Sequence, residues 1–175
     1  KDAGERDPTV PLIQSTGFLS TAWRLASIYL GSLGAEPLEK NAPPIVGYSE
    51  DTTCYVSLEY FTETDPFADF VVHEAAHVFH NTKRRTVGFP ETRTREWLLE
   101  MDFRKRETFA YACEAFSRIV ERGRRPAERR ALLAKLREHP PPPDERVTAV
   151  EYFDILAEAV ERRNGWRAIL EGCRS

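Results

Sequence analysis

Three of the chain's four histidines fall within eight residues, in the segment Phe70-Val-Val-His73-Glu74-Ala-Ala-His77-Val-Phe-His80. Asp65-Pro66 lies just upstream, an N-cap residue followed by a proline suited to the first helical turn. Together they predict a helix from Asp65 to near Asn81. Valines, alanines and phenylalanines surround the polar residues, so this is a helix the fold has to bury. Two imidazoles and a carboxylate are costly to bury without partners. Whatever else the chain forms, it must bring compensating groups to His73, Glu74 and His77.

The spacing says which groups. Residues four apart stand one above the other on a helix face, so His73 and His77 can grip one cation, with zinc the expected ion. Glu74, beside the first histidine, is placed to take a proton from water at the metal; the three residues form an HExxH pattern. His80 shares the face but lies seven residues, about 10 Å, along the axis from His73. That is too far for the same ion, and His80 is assigned an outer supporting or structural role.

Length and charge bound the rest. A chain of 175 residues reads as a single domain with a core of its own, the active-site part over about 45–122 and a helical extension over about 124–175. The net charge of −3 and pI near 5.9 argue against a charge-driven nucleic-acid binder. Residues 1–82 carry 4 basic and 12 acidic side chains, whereas residues 83–130 carry 14 basic and 8 acidic. Interleaved signs make solvated helix faces the plain reading of the basic segment, and a substrate or partner patch the sharper one. The clusters at 83–85 and 122–130 lack aromatic stacking partners, which again disfavours nucleic acid. The most apolar run, 17–33, is too short and too polar for a membrane span. Three dispersed cysteines, Cys54, Cys113 and Cys173, form no CxxC pair and favour a reducing, cytoplasmic setting. The polar start at Lys1, without a Met, suits a processed chain and leaves secretion open.

Along the chain, residues 1–11 read as a frayed lead-in and 16–33 as a core helix ended by Gly34. The loop 41–44 precedes strands over 45–48 and 52–61. A second helical region begins near Thr92 or Thr94 and reaches Glu121, with a break at 104–106 and Gly123 as its cap. Pro126 opens a helix that the run Pro140 to Pro143 stops. Thr148 and Glu151 form a capping box for a helix ended by Asn164-Gly165, and a short final helix follows. Trp23, Trp97 and Trp166 fall at apolar helical positions and are assigned to the core.

With its flanks, Val-Val-His73-Glu74-Ala-Ala-His77-Val-Phe resembles the active-site helix of zincin metallopeptidases. The metzincin extension is absent, since His80-Asn81-Thr82-Lys83 supplies neither its glycine nor its last histidine. The string Glu107-Thr-Phe-Ala110 is similar to the third-ligand helix of gluzincins, which implies Glu107 as the third zinc ligand. Glu114 is the competitor, seven residues on and sharing a face with Tyr111, and Asp102 is a further candidate. If Glu107 binds the metal, Glu114 is free to orient a ligand histidine from outside. The resemblance spans residues 50–120 and also implies an edge strand, 52–61, that adds an extended peptide. A transition-state stabiliser is required opposite the metal, and Tyr111, Tyr48, Tyr55, Tyr60, His139 or an arginine of the basic segment are the candidates. His139 itself reads as a helix end.

The expectation is therefore an α+β, zincin-like fold: a small mixed or antiparallel sheet packed on the HExxH helix, with a mainly helical C-terminal part. The expected activity is zinc-dependent hydrolysis of a peptide or protein substrate, with His73, His77 and Glu107 on the metal and Glu74 as general base. The rivals are a non-catalytic binding or regulatory module of the same fold and an effector or toxin-like protease confined to one protein partner.

Overall fold

The computed structural model describes residues 64–174 and, as backbone, 47–50 and 53–56. The helix expected over 16–33, the lead-in, the loop 41–44, and the side chains of Trp23, Tyr48, Cys54, Tyr55 and Tyr60 lie outside the described residues. The chain divides into two compact units, Lys1–Tyr48 with Tyr55–Glu63 and Ser49–Cys54 with Thr64–Ser175. All the helices below belong to the second.

Two four-residue strands, β1 (Gly47–Glu50) and β2 (Thr53–Val56), pair with each other. Residues 64–174 contain no strand, and 61% of them are helical. The expected α+β architecture is thereby corrected: the HExxH helix is covered by another helix, not by a sheet. Two strands of four residues present too little face to shelter a core. The helix Arg106–Arg122 offers nine buried side chains for the purpose.

Five helices follow in order: α1 (Phe70–Asn81), α2 (Arg106–Arg122), α3 (Pro126–Leu136), α4 (Ala149–Glu161) and α5 (Gly165–Gly172). Helix α2 is the hub and packs against each of the other four. Its alanines 110, 112 and 115 are buried, and small side chains there let neighbouring backbones approach closely. Phe116 and Ile119 of α2, Leu156 and Val160 of α4 and Ile169 of α5 fill the centre. Burying each such side chain stabilises the fold by about 1.5–3 kcal/mol.

Several boundaries differ from the sequence expectation. Helix α1 begins at Phe70, not Asp65: Asp65 instead closes a turn by accepting the Phe67 amide at 2.8 Å, and Asp69 caps the helix by accepting the Val72 amide at 3.2 Å. Residues 92–102 form no helix, and a 3-10 turn over Phe103–Lys105 leads directly into α2. The charged break at 104–106 is thus the start of the helix. Asn164-Gly165 does not end α4 but opens α5, with the Asn164 side chain accepting the Arg167 amide at 3.2 Å. Gly165 is required there by space: a Cβ would stand 2.1 Å from the ring of Phe116. Trp166 is 44% exposed, not a core residue, and rests its edge on Phe116.

Candidate metal centre

Helix α1 turns its polar side inward. His73, Glu74, Ala76 and His80 are buried, while Val71 and Phe79 are exposed. The helix is moored to α2 at its N-terminus by a set of polar contacts. The Glu114 carboxylate accepts the Asp69 amide at 2.8 Å, the Ser117 hydroxyl donates to Asp69 at 2.9 Å, and Arg118 Nε donates to the Ala68 carbonyl at 2.9 Å. These contacts set the rotation of α1 about its axis and so decide where its histidines point.

One turn apart on α1, His73 and His77 bring their Nε2 atoms to 3.2 Å. Glu107, in the first turn of α2, places Oε2 3.4 Å from Nε2 of His77 and 3.8 Å from Nε2 of His73. Among the described residues these three form a group whose donor atoms all lie within 4.8 Å of one another, close enough to hold one metal ion. The outer ring nitrogens define the tautomers. His73 Nδ1 donates to Glu114 Oε2 at 3.0 Å, which leaves its Nε2 lone pair facing inward. His80 Nδ1 lies 3.1 Å from the Asn81 side-chain oxygen and can only donate to it, so its Nε2 accepts from His77 Nδ1 at 2.9 Å. Both candidate ligands are thereby aimed by a partner on the far side of the ring, as metal-binding histidines commonly are. Two lone pairs and a carboxylate oxygen converging on one point form an arrangement that could hold a metal ion.

Electrostatics follow the same geometry. Burial pushes the His73 pKa down, but the hydrogen bond and charge of Glu114, with Glu74 and Glu107 behind them, outweigh it, and the net shift is upward. Burial raises the Glu107 carboxyl, yet His77 and then Arg146 and His73 hold it below the usual carboxylate range. His80 is pushed down to about 4, by burial first and then by His77 and Arg106, and stays neutral as its acceptor role requires. Burial and the carboxylates of Glu114, Asp144 and Glu107 push the Tyr111 hydroxyl up to about 12, so it remains a proton donor. Its ring meets that of His73 edge to face at 4.5 Å.

The sequence candidates thus separate. Glu107 joins the two histidines, Glu114 stands behind His73, and His80 stands behind His77. Glu74 is buried and close enough for its charge to act on His73. Asp102 caps the 3-10 turn by accepting the Arg104 amide, and His139 packs its edge against Phe67. Arg146 was not singled out by sequence. Its guanidinium lies 3.2 Å from Glu107 Oε1 and also pairs with Asp144 at 2.6 Å. It sits in the segment after the four prolines, where no spacing marks it. A cavity of about 390 Å³ opens beside the cluster, lined by His77, His80, Phe103, Arg106, Glu107 and Arg146 among others.

Comparison with protein-family models, curated proteins and solved structures gives no match. No helix among the described residues is long and apolar enough to cross a membrane.

Proposed function

We propose that the protein is a zinc-dependent hydrolase of peptide bonds. The observation that carries this reading is the convergence of His73 Nε2, His77 Nε2 and Glu107 Oε2, with Glu74 next in the chain to the first of them. The donors suit zinc by type and by spacing. A tetrahedral ion with bonds near 2.0–2.1 Å requires donors about 3.3 Å apart, and the three separations here are 3.2, 3.4 and 3.8 Å. Three protein ligands leave a fourth position for water or substrate, the pattern of a catalytic site. Zinc bound there would polarise a carbonyl and lower the pKa of water.

The chain's own residues supply the remainder. Glu74 accepts a proton from the attacking water and returns it to the departing amine. Glu114 and His80 engage the Nδ1 atoms of His73 and His77, so that in the neutral rings the Nε2 lone pairs face inward. Tyr111, held as a neutral hydroxyl with its ring against His73, is a candidate donor for developing negative charge. The resemblance of the HExxH helix and of the Glu107 segment to gluzincins supports the same assignment. The test is zinc stoichiometry by atomic emission combined with digestion of a mixed peptide library. One zinc per chain and library cleavage lost in Glu74→Gln are expected; undiminished cleavage by that variant refutes the mechanism.

A further inference from the structure

The cavity beside the cluster has an unbalanced lining. Arg104, Arg106 and Arg146 face one carboxylate, Glu107, whose Oε2 is directed at the two histidines. Two of the three arginines have acidic partners of their own: Arg146 pairs with Asp144 and Glu107, and Arg104 lies 3.9 Å from Asp102. Arg106 differs. Its Nε is buried and has no hydrogen-bond partner among the described residues. Its guanidinium carbon lies over the ring of Phe103, 4.5 Å from the centroid, and Phe103 is 73% exposed. A buried donor without an acceptor is unfavourable, and its retention calls for a reason. A guanidinium presents its N–H donors in a rigid planar fork, which is what two-point recognition of a carboxylate needs.

We propose that this cavity is a carboxylate-binding subsite, in which Arg106 receives a carboxylate of the peptide beside the metal centre and Phe103 forms an apolar wall for the neighbouring residue. Arg106 lines the same cavity as His77 and Glu107, so a group held by its guanidinium shares that cavity with two of the candidate metal ligands. The subsite rests on the metallopeptidase reading for the nature of its ligand. The carboxylate has two sources in a peptide, an acidic side chain or the free C-terminus, and the same guanidinium suits both.

The test measures binding separately from cleavage. Three fluorescein-labelled peptides share one apolar sequence: one carries Glu and an amidated end, one Gln and an amidated end, one Gln and a free C-terminal carboxylate. Their affinities for the zinc-loaded Glu74→Gln protein are read by fluorescence anisotropy, and the chelator-treated parent protein gives the same comparison should that variant not fold. One carboxylate peptide is expected to bind roughly ten- to a hundredfold tighter than the neutral one, and which one it is names the source. Arg106→Gln should abolish the difference and Arg106→Lys should retain part of it. Equal affinity for all three peptides overturns the subsite, even if the parent enzyme cleaves them. A carboxylate preference that depends on Arg106, without cleavage of any peptide, sustains the subsite and refutes the peptidase reading instead.

Discussion

Glu114→Gln tests the most interdependent contact in the structure. The Glu114 carboxylate is buried and accepts two hydrogen bonds, from His73 Nδ1 at 3.0 Å and from the Asp69 amide at 2.8 Å. A glutamine has the same shape but one acceptor oxygen. If that oxygen stays on Asp69, the new amide nitrogen confronts the His73 Nδ1 proton. The ring then relieves the clash by moving its proton to Nε2, the atom that should bind metal. If the oxygen serves His73, two donors meet at Asp69 instead, and the N-terminus of α1 loses one of its polar contacts with α2. The first arrangement puts the proton on the atom that should bind metal, and the second leaves a buried donor unsatisfied at a cost of about 1–3 kcal/mol. Loss of an outer partner of a ligand histidine commonly weakens metal affinity by about 10- to 100-fold, or roughly 1.4–2.7 kcal/mol. The assay is zinc competition against a chromogenic chelator, with circular dichroism to show that the helices persist. Zinc should still bind at one per chain, but more weakly by that factor. An affinity within about threefold of the parent, in a folded variant, refutes the claim that Glu114 orients His73.

Glu107→Ala, by contrast, should remove a ligand and abolish stoichiometric zinc binding; full retention of one zinc per chain in a metal analysis would overturn the ligand assignment. Glu74→Gln should keep the metal while peptide hydrolysis falls by about 10²–10⁴-fold in a fluorogenic assay, the usual contribution of a general base. The metal must displace a proton from His73, whose pKa is raised in the metal-free protein. Zinc affinity should therefore be undiminished above that raised value and fall about tenfold per pH unit below it; a flat affinity from pH 8 to pH 5 in the chelator assay contradicts this. Gly165→Ala should destabilise the fold by about 1–3 kcal/mol, because the added methyl meets the Phe116 ring and the Ala159 carbonyl. Thermal unfolding should show a fall of about 2–4 °C per kcal/mol, and an unchanged midpoint is the contrary result.

Some of this was legible in the chain because it is local. The i, i+4 spacing of His73 and His77 and the position of Glu74 between them are properties of any helix, so they could be read without knowing what the helix packs against. The end of α1 at Asn81 and the start of α3 at Pro126 were legible for similar reasons. Local signals also misled. Asp65-Pro66 has the chemistry of a helix start, yet Asp69 is the residue whose side chain reaches a free amide of α1. Trp166 sits at an apolar position of its helix, but the face it occupies runs out of neighbours beyond Phe116.

The choice between Glu107 and Glu114 shows where sequence stops. Two turns of one helix separate them, so both face α1, and no periodicity tells them apart. Their roles differ only because α1 is fastened at Asp69, which sets Glu114 against the outer nitrogen of His73 and leaves Glu107 opposite both inner nitrogens. Arg146 is a plainer case: its contact with Glu107 spans 39 residues and a proline run, and no local rule reports on it. The sheet expected beside the active-site helix failed for the same reason, since what covers a helix is decided by the partner that buries most surface. By itself the sequence determined that one helix would carry two histidines one turn apart with a glutamate between them, a spacing that could hold a cation. The tertiary structure alone decided which carboxylate completes the set and which residues aim it, because those are distances between elements far apart along the chain.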